Sequence, residues 1–396
     1  MIRYVATIEN GLMAMTIGLS MVGCREPFEP EAVDFNSALV IEATITDDNK
    51  YQEILISRTF ALDTTGIYGE FGAEVKVTDT KGAIYNFMEA EEGTYVSSVP
   101  FAAQAGIGYS LSVVTYNGST YSSDEVIAPQ PTSIDSLYAE RDFKDDDIYE
   151  GIYIYVDSYD KTGSNHYYKY DYEETYKIVA PFWTNKEAYI TEDDLVAIRI
   201  REKEGRVCYK TNKSIELIKT NTRQLSENRI SKFPIRFIDR NEYLLSHRYS
   251  ILVRQYVESR QAYNYDIVLD RLTSSENLFT QVQPGFLEGN IYSLNNRQSQ
   301  EVGYFKVSSV LERRIFFDYI DFFKGEALPP FVVACPFVSN VGTLKGDIER
   351  DATAYWDDNN GQYGLFIKPA PWIFVDSKCG DCTKVGSNIK PDFWVD

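Results

Sequence analysis

From Leu39 onward the chain alternates apolar and polar positions with a period of two. In LVIEATIT, Leu39, Ile41, Ala43 and Ile45 fall on one face and Glu42, Thr44 and Thr46 on the other, the pattern of a half-buried strand. The same period returns in EILISRT from Glu53, AEVKVTD from Ala73, AIYNFM from Ala83, GTYVSS from Gly93, YSLSVVTY from Tyr109 and TYSSDEVIA from Thr120. Turn residues separate the runs. Asp79 to Gly82 joins two of them, and Asn117-Gly118 signals a tight hairpin because both residues tolerate positive φ. Seven short strands within about 95 residues, with no helical pattern among them, predict an Ig-like β-sandwich over residues 38–130.

Pro129 and Pro131 mark a boundary. Beyond it IYIYVD from Ile152, HYYKYDYEETYKI from His166, IRFIDR, RYSILVRQY, EGNIYS, VGYFKVSSV and RRIFFDY read as strands of a larger β-rich domain over residues 131–328. One stretch breaks the β pattern. In SRQAYNYDIVLDRLTSS, Ala262, Tyr265, Leu269 and Leu272 approach helical spacing, and Ser259 stands where an N-cap belongs. From about Pro329, Pro, Gly, Asn and Asp dominate. Residues 329–396 therefore read as an irregular, cysteine-containing segment packed on the second domain. The expected class is mainly β, with a sandwich, a larger β-rich domain, about one helix and an irregular tail.

The N-terminus has a different logic. Arg3, the apolar stretch Gly11 to Val22 and the small Gly23 before Cys24 lay out a signal peptide over residues 1–23, with Cys24 as the expected lipid-bearing residue. Glu9 and Met21 depart from the usual pattern of such leaders, and an ordinary signal peptide is the alternative. Residues 24–37 hold Glu26, Pro27, Glu29, Pro30 and Glu31, too polar to pack and expected to form a tether. The apolar run is shorter than the ~20 residues of a spanning helix and no later one qualifies. The mature chain is thus expected to be soluble or lipid-anchored.

Composition narrows the partners. Of 396 residues, 59 are acidic and 39 basic, a net charge of −20, which excludes a phosphate backbone as the expected partner and predicts no nucleic-acid binding. The excess of Tyr, 30 residues, suits strands with polar-tipped aromatic faces.

The chemistry-bearing residues are few. With Cys24 lipidated, Cys208, Cys335, Cys379 and Cys382 remain. In an exported chain they read as two disulfides of open connectivity, with a four-cysteine zinc site or a redox Cys379-Gly-Asp-Cys382 pair as alternatives. His166 and His247 are the only histidines, and neither lies in a metal-ligand pair or near a nucleophile elbow. No catalytic residue, metal or cofactor is expected. The acidic runs Asp145-Asp146-Asp147 and Asp357-Asp358-Asn359-Asn360-Gly361 read as solvated loops, with calcium as the alternative. Tyr168, Tyr170 and Tyr172 form a stripe, either sheet core or a stacking platform for a glycan or peptide.

In order and spacing, LVIEATITD, FGAEVKVTDTKG, EEGTYVSS, GIGYSLSVVTYNGSTYSS, RYSILVRQYVESRQAYNYD, ENLFTQVQPGFLEGNIYS, EVGYFKVSSV, CGDC and KPDFW resemble the domain-of-unknown-function 4249 family of Bacteroidota outer-membrane lipoproteins. The resemblance runs over nearly the whole mature chain. It departs at Tyr209, where a Trp is more usual, and at Asp266, where that helix often has an aromatic. It implies a lipid-anchored, outward-facing protein of the outer membrane. Such a protein is an accessory of a TonB-dependent (SusC-like) β-barrel transporter, docking on it or capturing its cargo. It implies no catalytic residues. A free-standing surface adhesin for glycans or peptides is the second expectation, and an extracellular hydrolase with paired carboxylates the third.

Overall fold

The computed structural model describes residues 38–59, 68–145, 148–273, 288–295, 302–337, 343–358 and 372–396. The expected signal peptide, Cys24, the expected tether, Asp146, Asp147 and residues 359–361 lie outside these. The alternation from Leu39 becomes β1 (Leu39–Thr46), with Leu39, Ile41, Ala43 and Ile45 at most 2% exposed. It is followed by β2 (Glu53–Arg58), β3 (Tyr68–Gly69), β4 (Glu74–Asp79), β5 (Ile84–Glu91), β6 (Thr94–Ser97), β7 (Gly108–Val114), β8 (Thr120–Ser123) and β9 (Val126–Ile127). Both expected turns are present. Asp79 Oδ1 accepts the Lys81 and Ala83 N–H groups, both at 2.9 Å. Asn117 Oδ1 accepts the Ser119 N–H, with Gly118 at φ +84°.

The inward side chains of these strands form one core, and fully burying each Ile, Val or Phe contributes about 1.5–3 kcal/mol. An Ig-like sandwich keeps two separate sheets. Here hydrogen bonding runs unbroken through β1-β2-β6-β5-β4-β7-β8, so a single sheet rolls over its own core. Two strands from far along the chain extend it: β19 (Ile291–Ser293) pairs with β8, and β20 (Val302–Phe317) runs parallel to β1. Ile291, Phe305 and Val307 thereby enter the first core. At the seam the Asn290 side chain stands in for a strand, donating to Phe305 O at 2.9 Å and accepting from Phe305 N at 2.7 Å. The backbones come so close that a Cβ on Gly289 would lie 1.9 Å from Gly303 O.

β20 serves both halves of the molecule. Up to Ser308 it pairs with β1, and from Ser309 it pairs antiparallel with β18 (Tyr249–Glu258). Asp47 holds the changeover, accepting from Ser309 Oγ at 2.6 Å and Val310 N at 2.7 Å. β18 continues to β12 (Tyr167–Val179), which pairs with β15 (Val207–Lys213) and β16 (Ile218–Asn221). A second sheet, β10 (Ile134–Lys144), β11 (Tyr149–Tyr159) and β17 (Arg229–Asp239), shares a core with them. The larger domain is therefore itself a sandwich, centred on Ile152, Ile154, Tyr168, Tyr170, Tyr249 and Val253.

The expected helix is α1 (Arg260–Thr273), with Ser259 Oγ accepting the Ala262 N–H at 3.1 Å. The other described α-helices have four to six residues. The tail is more ordered than its composition suggests: β21 (Thr353–Asp358) and β22 (Trp372–Asp376) pair, and the region is stapled by Cys208–Cys382 and Cys335–Cys379. Trp394, 4% exposed, packs against Tyr209 and Phe316 and fastens the end of the chain.

Candidate functional site

The even positions of β12 point into the second core and the odd positions away from it, as strand pleating requires. Tyr168, Tyr170 and Tyr172 are even, at 0%, 1% and 5% exposure. Tyr168 donates to Asn165 O at 3.1 Å and Tyr170 to Gln255 Oε1 at 3.0 Å. Burial raises the Tyr172 hydroxyl to about 12. A stacking platform needs exposed ring faces, and these rings have none to offer.

An aromatic row does lie on another strand. On the outer face of β10-β11-β17, Tyr138 meets Tyr155 at 5.8 Å, Tyr155 meets Tyr153 at 5.3 Å, and Tyr153 meets Phe237 at 4.7 Å. Lys232 sits 4.8 Å over the Tyr155 ring and pairs with Glu140 at 2.6 Å. The signal was the alternation Tyr153, Tyr155 in IYIYVD, between buried Ile152, Ile154 and Val156.

The odd positions of β12 lead to the larger feature. Lys169 stands in register with Lys219 of β16 and Tyr256 of β18. Facing it across a gap are the outward side chains of β1, β2 and β20, namely Glu42, Thr44, Glu53, Leu55, Tyr304 and Lys306, with α1 along one side. The space between is a cleft of about 630 Å³, within the range of ligand sites. It has apolar wall at Leu55, Leu217 and, on α1, Tyr265 and Leu269, and it adjoins a more polar recess of about 560 Å³ through Thr44 and Glu53.

Charged groups converge at its inner end. Lys219 Nζ lies 2.5 Å from Glu258 Oε2 and 2.8 Å from Asp266 Oδ2, and Lys306 Nζ lies 2.5 Å from Asp266 Oδ1. The four side chains are only 2–12% exposed. Burial pushes the Asp266 carboxyl up, but Lys306 and Lys219 outweigh it and hold the group below its ordinary value. Burial pulls Lys306 below its ordinary value, with Asp266 and Glu258 opposing. Each ion is compensated by a neighbour, as buried charges must be. Sequence reasoning missed this cluster because its members come from β16, β18, α1 and β20. The available signals were Lys306 inside the apolar run VGYFKVSSV and the departure at Asp266.

The remaining expected sites resolve simply. Cys208 pairs with Cys382 and Cys335 with Cys379, so the four cysteines are not a zinc set and the two sulfurs of CGDC are not bonded to each other. Among the described residues no group of His, Cys, Asp and Glu is arranged to hold a metal. Nor is any described helix long and apolar enough to cross a membrane. His247 is packed edge-on against Tyr243, and burial lowers its pKa. His166 Nδ1 contacts Thr222 Oγ1 at 3.3 Å.

Fold and cleft together define a protein of two β modules joined by one strand, with a ligand-sized groove at the junction. Residues 25–314 match the model of the family described as domain of unknown function (DUF4249), and the chain belongs to that family. The match ends before the CGDC and KPDFW segments. No curated protein matches the chain.

Proposed function

We propose that the chain is an outer-membrane lipoprotein facing the cell exterior, anchored through Cys24. In this reading it is an accessory subunit of a TonB-dependent (SusC-like) transporter, docking on it or capturing its substrate, and it is not an enzyme. The observation that carries the reading is the cleft. It is open, ligand-sized and lined by both modules, and its inner acids and bases are tied to one another instead of being poised for proton transfer. The leader pattern ending in Gly23-Cys24 supports the anchor, as does a family match that begins at residue 25. Affinity capture of the native protein from detergent-solubilised membranes tests the partnership. Co-recovery of a β-barrel receptor is expected, and recovery with no barrel overturns it. Labelling with radioactive palmitate tests the anchor, with incorporation expected in the native chain and absent from Cys24→Ala.

A second reading, a free-standing adhesin for glycans, is favoured by the half-buried rings of Tyr138, Tyr153 and Phe237 on that face, although Tyr155 in the same row is only 7% exposed. A glycan array on which the native protein binds and Tyr153→Ala does not would support it. An array without hits would remove it.

A further inference from the structure

The charges at the inner end of the cleft do not balance. Lys169, Lys219 and Lys306 gather there, with Lys169 directly opposite Lys219 in the β12–β16 register and lining the same cleft as Lys306. Only two buried carboxylates, Glu258 and Asp266, meet them. Lys219 serves both acids and Lys306 serves Asp266. Among the described residues, the half-buried Lys169 ammonium has no ion pair and no hydrogen bond. Lys169 keeps access to the solvent of the cleft, and of these three lysines it is the one left to meet an incoming anion.

The cleft's other walls describe what would bring that anion. Leu55, Leu217 and Leu269 supply apolar surface beside Lys169. At the mouth stand three exposed acids, Glu42, Glu53 and Asp270, none in an ion pair with another described residue and all lining the same space. Positive floor, apolar wall and negative rim follow one another across a single cleft.

We propose that this cleft captures a short peptide by its free C-terminal carboxylate. The carboxylate completes the cluster at Lys169 and Lys306, an apolar C-terminal side chain lies on Leu55, Leu217 and Leu269, and the peptide's ammonium end meets the acidic rim. An apolar carboxylate without an amino group, such as a fatty acid, satisfies the floor and wall but leaves the rim unmatched. The inference deepens the capture half of the proposed function and rests on that half alone. It is tested on the purified full chain, so its failure leaves the membrane capture experiment untouched.

The experiment is calorimetric titration with the tripeptide Leu-Leu-Leu, its C-terminal amide and dodecanoate. The tripeptide acid is expected to bind saturably, and the amide at least about tenfold more weakly, the scale of one charge-assisted hydrogen bond. Lys169→Met is expected to weaken the acid to the level of the amide, and Lys169→Arg to restore the difference. Circular dichroism of both variants checks that the fold persists. Should Lys169→Met not fold, the acid-against-amide comparison on the native chain and Lys169→Arg still decides. Acid and amide binding alike, an unchanged Lys169→Met, or no saturable heat with the tripeptide acid overturns the proposal. Dodecanoate binding as tightly as the tripeptide overturns the peptide assignment in favour of apolar carboxylates in general.

Discussion

The two modules bury their cores by different means. The first is mostly aliphatic, with Ile41, Ile45, Ile54, Ile56, Val75 and Val77 packed around a minority of rings such as Tyr95, Tyr109 and Phe305, in a sheet rolled over itself. Its buried polar groups act as seals: Asn290 closes the seam, and Gln52, 0% exposed, spends its amide on the backbone carbonyls of Thr46, Asp48 and Phe101. The second is tyrosine-rich, and its hydroxyls find partners inside, as where Tyr249 donates to Glu174 at 2.8 Å beside Arg236. It also carries both disulfides. A rolled aliphatic sheet depends on completeness, because a missing strand exposes core along its whole length. A polar aromatic core depends on pairing, because an unpaired buried group is costly.

That contrast can be broken at the strand both modules share. Phe305→Ala removes a fully buried ring beside the seam and is expected to cost about 3–5 kcal/mol, read as a shift in urea midpoint. A loss below about 1 kcal/mol would mean that β20 is not integral to the first core. Breaking the Cys208–Cys382 bond with a double serine variant is expected to cost about 2–5 kcal/mol, felt by the second module. Fluorescence or hydrogen exchange that reports the loss in β1–β9 instead would erase the distinction. Tyr249→Phe keeps the ring and removes the donor to Glu174, with an expected cost of about 1–3 kcal/mol by chemical denaturation.

The smallest effect concerns Asp266. Its folded-state pKa lies below its ordinary value of 3.8, so on acidification the unfolded chain takes up the proton first. The stability it contributes is complete above about pH 5 and is lost as the pH falls through its folded pKa. Asp266→Asn is expected to flatten that acid limb. Urea midpoints measured from about pH 3 to pH 7 check it, and an unchanged slope in the variant would show that Asp266 is not linked to folding.

Much of this was legible in the chain itself. β1, β2, β4 and the Asn117-Gly118 hairpin follow from alternation and turn chemistry, and α1 begins at the residue that its cap predicts. β10 is not legible in the pattern because IDSLYAERDFK mixes charge with both faces and buries only Leu137. The tyrosine stripe was visible, but its facing was not. Alternation shows that Tyr168, Tyr170 and Tyr172 share a side without showing whether that side meets solvent or a second sheet. The charge cluster was illegible for a similar reason, since Lys219, Glu258, Asp266 and Lys306 are ordinary residues until four elements bring them together.

By itself, then, the sequence determined local matters: strand period, turn positions, the helix cap and the mainly β class. These depend on neighbours within a few residues, where backbone geometry and side-chain chemistry act directly. The tertiary structure alone decided which cysteines pair, that residues near 290 and 305 close a sheet begun at residue 39, and that Lys169 lines a cleft without an ion pair among the described residues. Those outcomes depend on contacts across hundreds of residues, and no local pattern encodes which distant strand completes a sheet or which distant charge meets a lysine.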